Sequence, residues 1–135
     1  MGMVTPGPAH VQTKVLICED APGYQMLLEV SLADAGMDVV ASADSWDEAT
    51  AAAGRHGPDL VLVDLWLPYR DDAALLALRE AAGDAVLVAI SGLSTQEATA
   101  EVGALGVIDL VLSKRQSMAE LIAALQNRLA QRDGS

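Results

Sequence analysis

The chain has 135 residues, of which 52% are hydrophobic and only 3% aromatic, and its 19 acidic and 8 basic residues give a net charge of −11. A chain of this length forms one domain with a single core, and its acidic balance excludes the basic surface on which direct nucleic-acid binding depends. The single cysteine, Cys18, excludes an internal disulfide and is typical of a reducing compartment.

The two ends of the chain are predicted to be tails. Residues 1–13 contain Pro6, Gly7 and Pro8 but neither the basic start nor the apolar stretch of a signal peptide, so a flexible N-terminal tail is expected. Residues 131–135 are predicted to form a C-terminal tail, which leaves 14–130 as the folded domain. No apolar stretch approaches the roughly 20 residues of a membrane-spanning helix. A cytoplasmic location without membrane contact is therefore expected.

Short apolar runs alternate with segments of helical period along the folded domain, which is the pattern of βαβ units around a parallel sheet. Five runs are predicted strands: residues 15–18, 39–41, 60–63, 86–90 and 110–112. Five helices are predicted after them, and three helix starts, at Ser45, Ser94 and Ser117, carry Glu three residues later as in a capping box. The predicted fold class is α/β, with a five-stranded parallel sheet and five helices.

Polar residues follow all five predicted strands; Ser42 follows the second, and the residues after the other four are the candidate site residues. Glu19 and Asp20 follow the first strand, Asp64 the third, Ser91 the fourth and Lys114 the fifth. If the strand order is 2-1-3-4-5, these strands are successive neighbours and their carboxyl ends meet at one edge. Ionised carboxylates so close together repel by about 4 kcal/mol per pair at about 4 Å and an effective dielectric of about 20. A shared proton or a hard, oxygen-binding cation is therefore expected there.

This ordered set of residues resembles the receiver domain of two-component response regulators, over roughly residues 14–130. The matching features are the acidic pair Glu19-Asp20, the run Asp64-Leu65-Trp66-Leu67-Pro68, Ser91 followed by Gly92, and Lys114. The resemblance implies a flavodoxin-like, CheY-like three-layer sandwich with strand order 2-1-3-4-5. Each motif is short, and their order and common position at strand ends carry the resemblance.

The resemblance implies a role for each polar residue at the predicted edge. Asp64 would accept a phosphoryl group and become an aspartyl-phosphate. Mg²⁺ would be bound by Asp20, Asp64 and the backbone carbonyl of Trp66, with Glu19 acting through water. Lys114 would supply a fixed positive charge.

Ser91 would supply a hydroxyl that follows the phosphoryl group and switches a protein-interaction surface. The resemblance implies a sensor histidine kinase or histidine phosphotransfer protein as the donor and an unknown downstream protein as the target. The chain would act as a switch that catalyses its own phosphorylation and dephosphorylation, not as a turnover enzyme. It would be a monomer or a weak dimer.

Three positions depart from the family pattern. Arg115 follows Lys114 where the family usually has a proline with a cis bond, and Val111 replaces the aromatic residue that couples to the switch hydroxyl. The usual glycine after Asp71 is replaced by Asp72, which adopts a positive φ less readily. An atypical receiver is therefore expected, with coupling through the fourth helix or through a partner.

Two apolar residues flank the predicted site, Trp66 two positions after Asp64 and Leu93 two after Ser91. Bulky apolar groups leave an attacking water without hydrogen-bond partners. We therefore expect Trp66 and Leu93 to shield an aspartyl-phosphate from hydrolysis and to lengthen its lifetime.

Other classes of protein fit the sequence less well. A flavodoxin would need a phosphate-binding loop after the first strand, where Glu19-Asp20 would repel phosphate. No Walker loop or G-x-G-x-x-G motif follows a predicted strand. A phosphatase with an aspartyl nucleophile would carry an acid at the position of Trp66. The remaining alternative is a degenerate receiver that serves as a constitutive protein-interaction module without phosphorylation.

Overall fold

Strands and helices alternate through residues 12–134, the part of the chain that this computed structural model describes, apart from the side chains of 104, 133 and 134. The strands are β1 (Lys14–Cys18), β2 (Asp38–Ala43), β3 (Leu60–Asp64), β4 (Val86–Ser91) and β5 (Leu110–Ser113). The helices are α1 (Pro22–Asp34), α2 (Trp46–His56), α3 (Asp72–Ala82), α4 (Thr95–Val102) and α5 (Met118–Gly134), with a 3-10 turn at Gly103–Leu105. All strand pairs are parallel and the order is β2-β1-β3-β4-β5, so the predicted fold is confirmed.

Each face of the sheet has its own apolar cluster, which is why the central strands are apolar at every position except their ends. One face packs against α1 and α5 through buried leucines: Leu28, Leu32, Leu121 and Leu125. The other face packs against α2, α3 and α4, largely through alanines: Ala49, Ala52, Ala53, Ala82 and Ala98. Small side chains let helices lie close to the sheet, which accounts for a core with few aromatic residues.

Side chains at the helix starts satisfy backbone N–H groups that have no partner within the helix. Two of the predicted capping boxes are complete, Ser94 with Glu97 and Ser117 with Glu120. At α2, Ser45 accepts a hydrogen bond from the backbone of Glu48, but the Glu48 carboxylate accepts from the N–H of Asp44 instead of Ser45. The third box is therefore half formed.

The described structure extends beyond the predicted folded domain, residues 14–130, at both ends. Gln12 donates its side-chain amide to the carbonyl of Gly36, and the carbonyl of Thr13 accepts from Asp38, so these two residues belong to the fold. The rest of the predicted N-terminal tail, 1–11, lies outside the described residues. At the other end α5 continues to Gly134, because no helix breaker precedes that glycine and Arg132 is held by the carbonyl of Asp59.

The loop between β3 and α3 differs from what the sequence predicted. Asp72, expected to need a positive φ, is the first residue of α3, while Asp71 caps that helix by accepting from the N–H of Ala74 at 2.8 Å. The positive φ falls instead on Tyr69, at 66°, the one non-glycine residue of 12–134 with this conformation. A bulky residue is rare there, so the turn after Pro68 is specified by its surroundings rather than by its own sequence.

Cys18 is expected to be chemically inert in the folded protein. Its side chain is buried at the end of β1, and burial raises the pKa of the thiol well above its usual range. Because the thiolate is the reactive form, a thiol-specific reagent such as Ellman's reagent should modify Cys18 only after unfolding in urea. Rapid modification in native buffer would contradict this burial.

None of the helices in 12–134 is long and apolar enough to cross a membrane.

Candidate functional site

The carboxyl ends of β1, β3, β4 and β5 bring the predicted site residues together at one edge of the sheet. Asp64 is the last residue of β3 and pairs with Ile90, directly before Ser91 at the end of β4. Ser91 in turn pairs with Ser113, directly before Lys114. The register of a parallel sheet thus places the acid, the hydroxyl and the ammonium on neighbouring strands.

Three carboxylates form the centre of the site. Glu19, Asp20 and Asp64 each offer an oxygen, and these oxygens lie within 4.8 Å of one another. Glu19 and Asp64 are buried, with 1% and 4% of their surface exposed, whereas Asp20 faces solvent. Two acids buried so close together need a compensating charge.

Lys114 supplies that charge. Its ammonium lies 2.8 Å from Glu19 Oε1 and 3.1 Å from Asp64 Oδ2, and so bridges the two buried acids. The same ammonium lies 4.5 Å from the ring centroid of Tyr24 on α1, close enough for a cation–π interaction. Lys114 therefore occupies a fixed position before any ligand arrives.

Backbone N–H groups complete the coordination of the buried acids. Trp66 donates to Asp64 Oδ1 at 2.8 Å, and Ala21 donates to Glu19 Oε2 at 3.0 Å. Gln25 donates its side-chain amide to the backbone carbonyl of Glu19 at 2.8 Å. Each oxygen of the two buried carboxylates thus has a donor in the described structure.

The titration properties of the site follow from burial and charge. Burial raises the pKa of Glu19; the hydrogen bonds from Lys114 and Ala21 oppose this shift, and the pKa stays above its usual value. Burial lowers the pKa of Lys114, but its hydrogen bond to Glu19 and the charge of Asp64 outweigh burial and raise it overall. Burial also raises the pKa of Tyr24, whose hydroxyl has no hydrogen-bond partner among the described residues.

Ser91 is fully buried, and its hydroxyl is not engaged with Asp64. Its Oγ accepts a hydrogen bond from the backbone N–H of Leu93 at 3.1 Å, and its carbonyl accepts from the N–H of Lys114 at 2.7 Å. This bond uses Oγ as an acceptor and leaves the hydroxyl proton free to be donated to a group on Asp64, whereas a rotation of the side chain that moves Oγ would break the bond to Leu93.

The donor set suits a hard divalent cation. Carboxylate oxygens of Asp20, Asp64 and Glu19 are the ligand type that Mg²⁺ prefers, and the exposed Asp20 can reach an ion without giving up a buried contact. Glu19 already accepts from Lys114 and Ala21, which fits a role through water. The predicted use of the Trp66 carbonyl stays a prediction, as does shielding by Trp66 and Leu93.

Four residues near the site were assigned no role at the site from the sequence: Tyr24, Gln25, Ser113 and Arg115. Tyr24 and Gln25 stand in the first turn of α1, directly after the acidic pair, where a polar side chain at a helix start can turn back to a strand end. Ser113 donates to the carbonyl of Leu93, and Arg115 donates to that of Gly92. No sequence pattern indicates these last two contacts, because they join loops that only the sheet brings together.

Comparison with known proteins agrees with this geometry. A family model described as the response regulator receiver domain matches residues 15–126. The transcriptional regulatory protein PdtaR of Mycobacterium tuberculosis is 35% identical over 128 residues, which are 93% of this chain and 60% of PdtaR. The chemotaxis protein CheY of Bacillus subtilis is 27% identical over 105 residues, which are 77% of this chain and 88% of CheY.

A solved CheY-like receiver domain protein from Methanospirillum hungatei JF-1 has a TM-score of 0.79 to this structure at 18% identity, covering 92% of this chain and 98% of that one. A likeness at this identity shows the fold alone. PdtaR is longer than the matched region, since the chain spans only 60% of it. The match of the family model over most of the chain, together with the strand order and the acidic edge, identifies the chain as a member of the response regulator receiver domain family.

Proposed function

We propose that this receiver domain accepts a phosphoryl group on Asp64 from a phosphohistidine donor and thereby switches a protein-interaction surface. The observation that carries the proposal is the environment of Asp64. One of its oxygens is held by a backbone N–H, the other by the ammonium of Lys114, and Glu19 and Asp20 lie within metal-binding distance. This arrangement orients the carboxylate and surrounds it with groups that can offset phosphoryl charge.

The chemical step assigns a separate task to each residue. An oxygen of Asp64 forms the new bond to phosphorus while the bond from phosphorus to the donor imidazole nitrogen breaks, and its electron pair returns to the imidazole. Lys114 can transfer one of its hydrogen bonds from Asp64 to a phosphoryl oxygen, and Ser91 can donate its hydroxyl proton to another. A Mg²⁺ ion bound by Asp20 and Asp64 would offset the charge of the acids and of the phosphoryl group.

The proposal extends to the setting of the domain. The donor would be a sensor histidine kinase or a histidine phosphotransfer protein, and the target a protein that binds the phosphorylated form. The chain would act as a cytoplasmic switch without direct contact to nucleic acid, and not as a turnover enzyme. The excess of 19 acidic over 8 basic residues supports a protein partner over nucleic acid.

Magnesium-dependent phosphorylation tests the proposal. Incubation with acetyl phosphate and Mg²⁺ should add one phosphoryl group per chain, measured by intact mass, and chelation of the metal by EDTA should prevent this. Asp20→Asn should weaken Mg²⁺ binding, measured by calorimetry, at least about tenfold. Asp38→Asn is the matched control, because it removes the same charge at the opposite end of the sheet and should bind Mg²⁺ like the wild type.

A wild-type protein that gains no mass from acetyl phosphate or from a phosphorylated histidine protein, and that binds no Mg²⁺, would refute the proposal. The result would favour the alternative, a constitutive interaction module. Two departures motivate that alternative, Val111 and Arg115 at positions that usually carry an aromatic residue and a proline.

A further inference from the structure

Gly92 directly follows Ser91 and is in contact with the side chain of Trp66. A Cβ atom built on Gly92 would lie 2.6 Å from two carbons of the Trp66 six-membered ring, Cη2 and Cζ3, and 3.3 Å from Cζ2. The first two distances are too short for any carbon contact, so a side chain at this position would displace the indole. The φ of Gly92 is not in the left-handed region. What requires glycine here is therefore the space that Trp66 occupies.

Arg115, from the loop after β5, binds the same residue. Its Nε donates to the carbonyl of Gly92 at 3.1 Å. Its backbone N–H donates to Ser113 Oγ at 3.1 Å, and that hydroxyl donates to the carbonyl of Leu93 at 2.7 Å. The loop after β5 thus binds two consecutive carbonyls of the loop after β4. A proline in place of Arg115 would offer neither the guanidinium nor the N–H.

These contacts join the loops that follow β3, β4 and β5, next to Asp64, Ser91 and Lys114. Trp66 lies two residues after Asp64, Gly92 one after Ser91, and Arg115 one after Lys114. We name this set the Gly92 junction: Trp66, Gly92 and Arg115. Trp66 is 57% exposed and Arg115 is also exposed, so a change at the junction reaches the surface directly.

This chain lacks the aromatic residue that usually couples to the switch hydroxyl, because Val111 replaces it. Val111 on β5 is half-buried and packs against the apolar cluster of α2, α3 and α4. It has no polar group or ring that could follow the hydroxyl of Ser91. A movement of Ser91 can, however, be passed to Gly92 through the covalent chain.

We propose that the Gly92 junction couples the occupancy of Asp64 to the protein surface. This inference rests on the proposed function. When the Ser91 side chain rotates to bring its hydroxyl to a phosphoryl group, Oγ moves away from the N–H of Leu93 from which it accepts, and this frees the adjoining backbone to move. Because Gly92 lies against the indole and is bound by the guanidinium, its movement repositions both exposed side chains. Trp66 and Arg115 are thus positioning residues that transmit the state of the site.

Tryptophan fluorescence during titration with Mg²⁺ and fluoroberyllate, a mimic of the phosphoryl group, tests the coupling. The chain has two tryptophans. Trp46 is 6% exposed and donates to the carbonyl of Leu67, next to Trp66, so Trp66→Phe measures the contribution of Trp46 alone. The wild type should show an emission change on binding that Trp66→Phe lacks. Fluorine NMR reports bound fluoroberyllate independently of either tryptophan.

Two variants separate the contacts of the junction. Gly92→Ala should expose the indole before any ligand is added, seen as stronger quenching by acrylamide and a red-shifted emission. Arg115→Ala should bind fluoroberyllate with an affinity within about fivefold of the wild type, because one exposed hydrogen bond is lost, yet lose most of the Trp66 response. Gly54→Ala is the matched control, since a Cβ there meets nothing within 4 Å. It should behave like the wild type in both measurements.

The outcomes distinguish the two levels of the proposal. Bound fluoroberyllate with an unchanged Trp66 emission, or a full Trp66 response in both Gly92→Ala and Arg115→Ala, would overturn the coupling alone. Absence of any bound fluoroberyllate signal in the wild type would overturn the proposed function, and the coupling with it. Equal acrylamide quenching in Gly92→Ala, Gly54→Ala and the wild type would overturn the contact between Trp66 and Gly92.

Discussion

Asp64→Asn is expected to gain no phosphoryl group from acetyl phosphate under conditions in which the wild type gains one per chain. A carboxamide oxygen carries no negative charge and is a poor nucleophile, so the new bond to phosphorus does not form. The substitution preserves the volume of the side chain. Its oxygen can still accept from the N–H of Trp66, which now binds Asp64 Oδ1 at 2.8 Å. Loss of mass gain should therefore come without loss of fold.

Asp71→Asn is the matched control for this experiment. It removes one carboxylate from the loop that follows β3, and asparagine caps a helix about as well as aspartate, so the bond to Ala74 can persist. Intact-mass spectra should show phosphorylation of Asp71→Asn at the wild-type level. Equal mass gain in Asp64→Asn and the wild type would place the phosphoryl group on another residue and contradict the assignment.

Lys114→Met is expected to reduce the free energy of unfolding by about 3 kcal/mol in the absence of metal. The ammonium contacts both Glu19 and Asp64, whose side chains are only 2% and 4% exposed. Its removal leaves two buried acids with no cation between them. Methionine keeps much of the side-chain length, so lost packing contributes little. Urea denaturation measures the difference.

Added Mg²⁺ should recover part of this loss, because an ion that binds only the folded state shifts the unfolding equilibrium towards it. Lys14→Met is the control: Lys14 is the only other lysine, it makes no ion pair among the described residues, and its replacement removes the same charge. Equal unfolding midpoints for Lys114→Met and Lys14→Met would show that the bridge does not stabilise the fold.

Contacts within one element were predictable from the sequence. Ser94 with Glu97 and Ser117 with Glu120 form the expected capping boxes, because the partners are three residues apart and the helix itself brings them together. At Ser45 the capping box is only half formed. The Glu48 side chain can reach two neighbouring N–H groups, and spacing alone does not choose between them.

Turn geometry was less predictable. The sequence indicated a need for a positive φ at Asp72, yet that residue begins α3 and the left-handed conformation falls on Tyr69. The conformation of the turn is set by where β3 ends and α3 must begin to cover the sheet. The backbone preference of each residue influences the turn less than the need to connect β3 to α3 does.

The sequence by itself determined the strands and the polar residues that follow them, and its resemblance to receiver domains implied the strand order and so the meeting of Glu19, Asp20, Asp64, Ser91 and Lys114 at one edge. Apolar runs of strand length end in polar residues, and parallel strands direct their carboxyl ends to the same side. Only the tertiary structure decided how the side chains are shared at that edge. Lys114 bridges Glu19 and Asp64, and the Trp66 ring lies on Gly92, because these residues come from different loops whose spacing depends on the packed sheet.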